Sequence, residues 1–175
     1  SPAPLLPCSL TAHQALFDSL KKGLGMVPNL YATFAHSEHA LGNYLALQSG
    51  KSSLSAKARE LINLVVSQVN ACEYCLAAHT AIGKMTGYTD AQILEIRRGR
   101  ASFDARLDAL ARLVRNIASE RGHADPALVQ AFFGAGWTEG NLVDAIVVIG
   151  DKTVTNYLHG TTQVPVDFPP APPLR

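Results

Sequence analysis

Residues 55–87 read SAKARELINLVVSQVNACEYCLAAHTAIGKMTG, and this stretch decides the fold. Ser55 is a good N-cap residue, and the apolar spacing after it predicts a helix that runs to about Val69. A second helix is predicted to begin at Cys72 and to continue to about Met85. Two consecutive helices joined by so short a turn are expected to fold back against each other.

Outside this stretch the sequence has the spacing of further helices and no alternation typical of strands. We predict helices over about 11–24 with Thr11 as the cap, 29–48 with an interruption near His36 and Ser37, 89–98, 104–121, 126–136 and 138–158. Thr89 with Gln92 forms a capping box. Because strands neither recur nor alternate with helices, the predicted fold class is all-α.

The chain has 175 residues, enough for one domain with a substantial core, and 47% of them are apolar. We predict a single domain over 1–175, with an irregular arm at 1–10 and an extended, proline-rich tail at 160–175. Charged residues make up only 17%, below the usual share of about a quarter. This deficit favours a homo-oligomer, with the tail lying across a neighbouring subunit. A compact monomer with a disordered tail is the alternative.

Charge and hydropathy argue against two classes of partner, nucleic acids and membranes. The net charge is +1, and the densest basic stretch, Arg97 to Arg100, is too short for a nucleic-acid footprint. No apolar run approaches the roughly 18 residues of a membrane span, so no membrane partner is expected. No signal-peptide pattern opens the sequence, which begins at Ser1 rather than Met.

The three cysteines indicate redox chemistry rather than a disulfide scaffold, and we expect a reducing, cytoplasmic location. Cys72 and Cys75 form a Cys-x-x-Cys pair, and His79 follows four residues later. At about 100° per residue, these three side chains share one face of a helix. Both thiols lie near the positive N-terminal end, where backbone N–H groups and the helix dipole stabilise a thiolate.

Glu60 precedes the cysteine pair on the neighbouring predicted helix. If that helix packs against the cysteine helix, the carboxylate can reach His79 and form a proton relay. The alternative is a surface Glu60 paired with Lys57 or Arg59.

Other interpretations of the cysteine pair stay open. Structural zinc takes four ligands, whereas Cys72, Cys75 and His79 supply three and Cys8 is far away in sequence. A thioredoxin fold needs a strand before the motif, and covalent haem needs His where Leu76 stands. Two inert buried thiols are the remaining alternative, because free cysteine packs like a small apolar side chain.

The spacing of Glu60, Cys72, Cys75 and His79 resembles the active-site signature of the alkylhydroperoxidase D-like (AhpD-like) proteins. That group belongs to the carboxymuconolactone decarboxylase superfamily. The likeness to its peroxidase-related members extends to three further segments: 26–30, 156–159 and 166–169. The resemblance implies an AhpD-like helical bundle that assembles into homo-oligomers such as dimers, trimers or hexamers.

The same resemblance implies a peroxidase that reduces hydroperoxides. Cys75 would be the peroxidatic thiol that becomes a sulfenic acid, and Cys72 would resolve it to a disulfide. Glu60 and His79 would move protons, and no cofactor, whether metal, flavin or haem, would be required. A dithiol partner, either a lipoylated or a thioredoxin-like protein, would reduce the disulfide again.

One position departs from the family pattern. Some peroxidase members carry His just before the second cysteine, where this chain has Tyr74. A phenol is a poorer base than imidazole at neutral pH, so the resolving step and the substrate are in question. We assign Tyr74 and His159 to substrate binding.

Two other functions stay open on these residues. One is a decarboxylase-type lyase acting on a small cyclic acid, whose activity would survive alkylation of both thiols. The other is a redox-sensing oligomer that changes assembly on oxidation and has no turnover.

Overall fold

The helical pattern of the sequence is present throughout the part of the chain that the computed structural model describes, residues 13–175. Its helices are α1 (Gln14–Leu24), α2 (Asn29–Phe34), α3 (Ala40–Gln48), α4 (Ala56–Val69), α5 (Glu73–Met85), α6 (Asp90–Arg97), α7 (Ala105–Ser119), α8 (Pro126–Gly134) and α9 (Glu139–Thr162). No strand occurs in this range, so the all-α prediction is confirmed. The predicted arm at 1–10 and the predicted cap at Thr11 lie outside it.

The hairpin of α4 and α5 forms because capping residues and a tight turn fix where the two helices begin and end. The Ser55 hydroxyl caps α4 by accepting a hydrogen bond from the Ala58 N–H at 3.1 Å. After α4, Ala71 takes a left-handed conformation with φ of 51° and reverses the chain. The Cys72 N–H then donates to the Ser67 carbonyl at 2.9 Å. Cys72 is therefore the N-cap of α5 rather than its first residue.

Helix α4 is the centre of the bundle, since α5, α7 and α9 all pack against it. Its interior face is apolar, and five of its large side chains have no exposed surface: Leu61, Ile62, Leu64, Val65 and Val66. Burying each such side chain contributes roughly 1.5–3 kcal/mol. This packing fixes α4 between α5 and α9, the two helices that carry the remaining site residues.

The C-terminal tail packs against its own chain. Helix α9 continues past the predicted end at Leu158 to Thr162, and residues 163–175 that follow are not helical. The Asn29 side-chain amide donates to the Pro165 carbonyl at 3.0 Å. The Arg97 guanidinium donates to the Pro172 carbonyl at 2.5 Å. The tail therefore has contacts within its own chain, and its contact with a neighbouring subunit stays a prediction.

Within residues 13–175, no helix combines the length and the hydropathy that crossing a membrane requires.

Candidate active site

The two thiols of the Cys-x-x-Cys pair meet at the start of α5. The Cys72 sulfur caps the helix by accepting a hydrogen bond from the Cys75 N–H at 3.3 Å. The two sulfurs are 2.7 Å apart, and the Cys72 thiol donates to the Cys75 sulfur. Both cysteines are free and each is only 2% exposed. A disulfide has an S–S length of about 2.05 Å, so a small movement would join them.

The surroundings of the pair shift the pKa values of the two thiols in opposite directions. The hydrogen bond from Cys72 is the largest contribution that lowers the pKa of Cys75, to about 5. Burial opposes this shift, while the charge of Lys152 and a hydrogen bond from Asn156 support it. The same sulfur–sulfur hydrogen bond, together with burial, raises the pKa of Cys72. Cys75 is therefore the thiolate of the pair, and Cys72 keeps its proton.

A buried carboxylate and imidazole lie beside the thiols. Glu60 of α4 is 5% exposed, and its Oε1 hydrogen-bonds Nδ1 of His79 of α5. The Asn63 amide donates to Oε2 of Glu60 at 3.2 Å. Burial acts to raise the pKa of Glu60, but the charge and hydrogen bond of His79, with Asn63, hold it below its usual value. The predicted contact between the two helices is present, and the alternative of a surface Glu60 is wrong.

Helix α9 adds two site residues that sequence reasoning missed. Lys152 is 3% exposed, and its charge favours the ionised forms of Cys75 and Glu60. The Asn156 amide donates to the Ser67 hydroxyl at 3.2 Å, and Asn156 is among the groups that lower the pKa of Cys75. The available signal was a polar pair, four residues apart, on one face of α9. Its meaning depended on how α9 packs against α5.

Tyr74 and His159, which we assigned to substrate binding, are both buried and hold the tail. The Tyr74 hydroxyl bonds to Oδ1 of Asp167 and accepts from the Leu30 N–H at 3.3 Å. Burial and the bond to Asp167 raise the pKa of Tyr74, so it is not a base near neutral pH. Nε2 of His159 bonds the Val164 carbonyl at 3.0 Å. Their role in substrate binding stays a prediction.

An apolar cover closes over the sulfurs. Leu30 of α2, Leu158 of α9, and Val164 and Phe168 of the tail pack in one cluster with the cysteine pair. Leu158 also lines an open groove of about 530 Å³.

No cluster of three or more His, Cys, Asp or Glu side chains in residues 13–175 has a geometry suited to a metal ion.

The sequence matches the model of the carboxymuconolactone decarboxylase family over residues 33–116, the segment that contains Glu60, Cys72, Cys75 and His79. Over this segment the chain is similar to the carboxymuconolactone decarboxylase family, the superfamily that its motif resembled. No curated protein matches the sequence.

Solved structures share the fold over nearly the whole chain. A peroxidase-related protein from Silicibacter sp. TM1040 is 24% identical, with a TM-score of 0.77 over 96% of this chain and 94% of that one. A protein with an alkylhydroperoxidase AhpD core from Ralstonia eutropha JMP134 is 20% identical, with a TM-score of 0.78 over 97% and 90%. The debrominase Bmp8, in complex with 2,3,4-tribromopyrrole, is 12% identical, with a TM-score of 0.75 over 90% and 87%. At these identities the likeness establishes the fold.

Proposed function

We propose that this protein is a dithiol peroxidase that reduces hydroperoxides, with Cys75 as the nucleophile and Cys72 as the resolving thiol. The observation that carries the proposal is the contact between the two sulfurs, 2.7 Å apart at a helix start. A thiolate is the reactive form of cysteine, and Cys75 has the environment of a thiolate. The Glu60–His79 pair on the adjoining helices supplies a proton relay.

In the first step, the Cys75 thiolate attacks the terminal oxygen of the hydroperoxide. An S–O bond forms, the O–O bond breaks, and the leaving alkoxide takes a proton from the relay of His79 and Glu60 to become an alcohol. Cys75 is oxidised to a sulfenic acid and the hydroperoxide is reduced.

In the second step, Cys72 attacks the Cys75 sulfur. The S–S bond forms, and the S–O bond breaks as hydroxide leaves and is protonated to water. The Cys72 proton, which the hydrogen bond holds in the resting pair, passes to the relay. A dithiol reductant, such as a lipoylated or thioredoxin-like protein, then reduces the disulfide by thiol–disulfide exchange and is itself oxidised to a disulfide.

The test is steady-state consumption of an alkyl hydroperoxide with dihydrolipoamide as the electron donor. The wild type should turn over, and Cys75→Ser should lose turnover while its circular dichroism spectrum stays unchanged. Cys72→Ser should form the sulfenic acid once and then stop. Cys8→Ser, which changes the cysteine outside the motif, is the matched control and should keep full turnover. Unchanged turnover in Cys75→Ser would refute the proposal.

Two competing functions are separated in the same experiment. A reductive debrominase would use the same two electrons to replace C–Br by C–H and release bromide, so a brominated pyrrole is tested beside the hydroperoxide. A debrominase is among the structures that share the fold. A lyase of the decarboxylase type would act on a cyclic acid with both thiols alkylated, which a dithiol peroxidase cannot do.

A further inference from the structure

One buried cation beside the dithiol has no part in the steps above. Lys152 is only 3% exposed, and lysine side chains are almost never buried to this extent unless they are paired. Within residues 13–175, no carboxylate lies within ion-pair distance of its ammonium group. Burying such a charge is costly unless another group stabilises it.

The helical register places Lys152 on the face of α9 that meets the dithiol. Asn156 lies one turn further on, and its amide donates to the Ser67 hydroxyl at 3.2 Å. The Ser67 carbonyl in turn accepts from the Cys72 N–H at 2.9 Å. The Asn70 amide also donates to Asn156 at 3.0 Å, which fixes this face of α9 against the end of α4. Residues four apart share a helix face, so Lys152 faces the same region as Asn156.

The charge of Lys152 favours the ionised forms of two buried groups, Cys75 and Glu60. Glu60 also bonds His79, and Asp151, the residue before Lys152, accepts from the Tyr44 hydroxyl at 2.5 Å. The other titratable side chains that act on the Cys75 sulfur are Cys72, Tyr74 and His79. Of the two groups that Lys152 favours as anions, Cys75 is the nucleophile of the proposed reaction.

We propose that Lys152 is a positioning residue that holds the Cys75 sulfur in its anionic form through the charge of its buried ammonium group. The inference rests on the proposed peroxidase function and deepens it, because the thiolate is the nucleophile of that reaction. Lys152 acts through Cys75 and transfers no proton. It lies on α9, outside the segment 33–116 that matches the family model.

The test measures how fast iodoacetamide alkylates Cys75 as a function of pH, with mass spectrometry to identify the site, in a Cys8→Ser background. The variants are Lys152→Met, which removes the charge and keeps the length, and Lys152→Arg, which keeps the charge. Lys57→Met is the matched control, because Lys57 lies at the start of α4 with its ammonium over the Tyr88 ring at 4.9 Å. Alkylation needs no peroxide, so failure of the peroxidase proposal would be seen separately, as absent turnover in the wild type.

We expect the midpoint of the Lys152→Met profile to move up by about one pH unit or more, with an unchanged rate at the alkaline plateau. Lys152→Arg should return the midpoint toward the wild type, and Lys57→Met should leave it in place. Coinciding midpoints in Lys152→Met and Lys57→Met would overturn the proposal, as would equal shifts in the Met and Arg variants. Should neither Lys152 variant fold, the wild type decides: a Cys75 midpoint at the ordinary thiol value would overturn the proposal, and a lowered midpoint would support it.

Discussion

Cys72 and Cys75 are the same residue type three positions apart, yet the start of α5 places their sulfurs in different hydrogen-bonding environments. Cys72 is the N-cap, and its sulfur accepts the Cys75 N–H and donates its proton to the Cys75 sulfur. Cys75 lies inside the first turn, and its sulfur accepts that hydrogen bond and is also stabilised as a thiolate by groups on α9. The order of nucleophile and resolving thiol therefore follows from capping geometry.

This difference predicts the behaviour of Cys72→Ala. The variant removes the largest contribution that lowers the Cys75 pKa, so its alkylation midpoint should rise from about 5 toward the ordinary thiol range. A rise of about one pH unit or more is expected. The measurement is the pH profile of iodoacetamide alkylation in a Cys8→Ser background. A Cys72→Ala midpoint equal to that of the wild type would contradict the assignment of the hydrogen bond.

The Glu60–His79 pair leads to a second prediction at this scale. Glu60→Gln removes the negative charge and keeps the side-chain shape, so hydroperoxide turnover should fall by about 10²- to 10⁴-fold. Asp90→Asn is the matched control, since its carboxylate pairs with Lys84 at the surface.

The same pair makes stability depend on pH. Because folding lowers the Glu60 pKa, the ionised carboxylate stabilises the protein above its ordinary pKa of 4.5, and this contribution is lost as the pH falls. Urea unfolding should show Glu60→Gln destabilised by about 1–3 kcal/mol at neutral pH, with the difference shrinking in acid. A difference that stays constant with pH would mean that the charge of Glu60 is not involved.

Residue spacing predicted only part of this site. Cys72, Cys75 and His79 share one helix, so the period of 3.6 residues was enough to place them together. Glu60 required the α4–α5 hairpin, which the short turn made predictable. Lys152 could not be placed, because its contact with the dithiol depends on how α9 crosses α4 and α5.

At the scale of elements, the tail of residues 163–175 closes the site. The Asp167 carboxylate accepts from the Asn29 N–H at 2.8 Å and bonds the Tyr74 hydroxyl. Phe168 packs edge-on against the Tyr74 ring, with ring centres 5.7 Å apart. Tyr74, the residue before Cys75, thus ties the tail to the start of α5, where Phe168 packs in one cluster with the two cysteines.

Asp167→Ala should loosen this cover and leave the bundle intact. Losing two hydrogen bonds to a charged acceptor should increase opening of the tail by about 10- to 100-fold. Hydrogen exchange at residues 163–175 and alkylation of Cys75 at neutral pH should both accelerate. Asp18→Ala on exposed α1 is the control and should change neither. Faster exchange without faster alkylation would show that the tail does not limit access to the thiols.

Helix starts were predicted more reliably than helix ends, and the reason is chemical. Side-chain caps such as Ser55, Thr89 and Thr138 are local signals, and each accepts the hydrogen bond expected of it. The end of α9 has no such signal, and it extends to Thr162 because the tail beyond it packs back on the chain. The direction of the tail was unpredictable, since Asp167 and Tyr74 are far apart in sequence.

At the scale of the whole molecule, α9 exposes a stripe of apolar side chains to solvent. Its members lie on one face of the helix and are each 44–64% exposed: Val143, Ile146, Val147, Val154 and Tyr157. Their neighbours Val148 and Ile149 are buried within the chain. A continuous stripe of this kind is typical of a subunit interface.

We predict that this stripe forms the contact between copies of the chain. Val147→Asp places a charge in the centre of the stripe and should shift the protein toward monomers in sedimentation velocity, with an unchanged circular dichroism spectrum. Met85→Asp is the control, because Met85 is 85% exposed at the end of α5 and lies off the stripe. A wild type that sediments as a monomer, or a Val147→Asp variant of wild-type size, would count against this interface.

The most direct test of the whole account is one turnover without a reductant. Fully reduced Cys8→Ser protein is mixed with one equivalent of an alkyl hydroperoxide, quenched in acid, and digested for peptide mass spectrometry. We predict one alcohol released for each chain and a disulfide between Cys72 and Cys75, with the sulfenic acid trapped on Cys75 when Cys72 is Ser. Two thiols that stay reduced while the hydroperoxide persists would contradict the account.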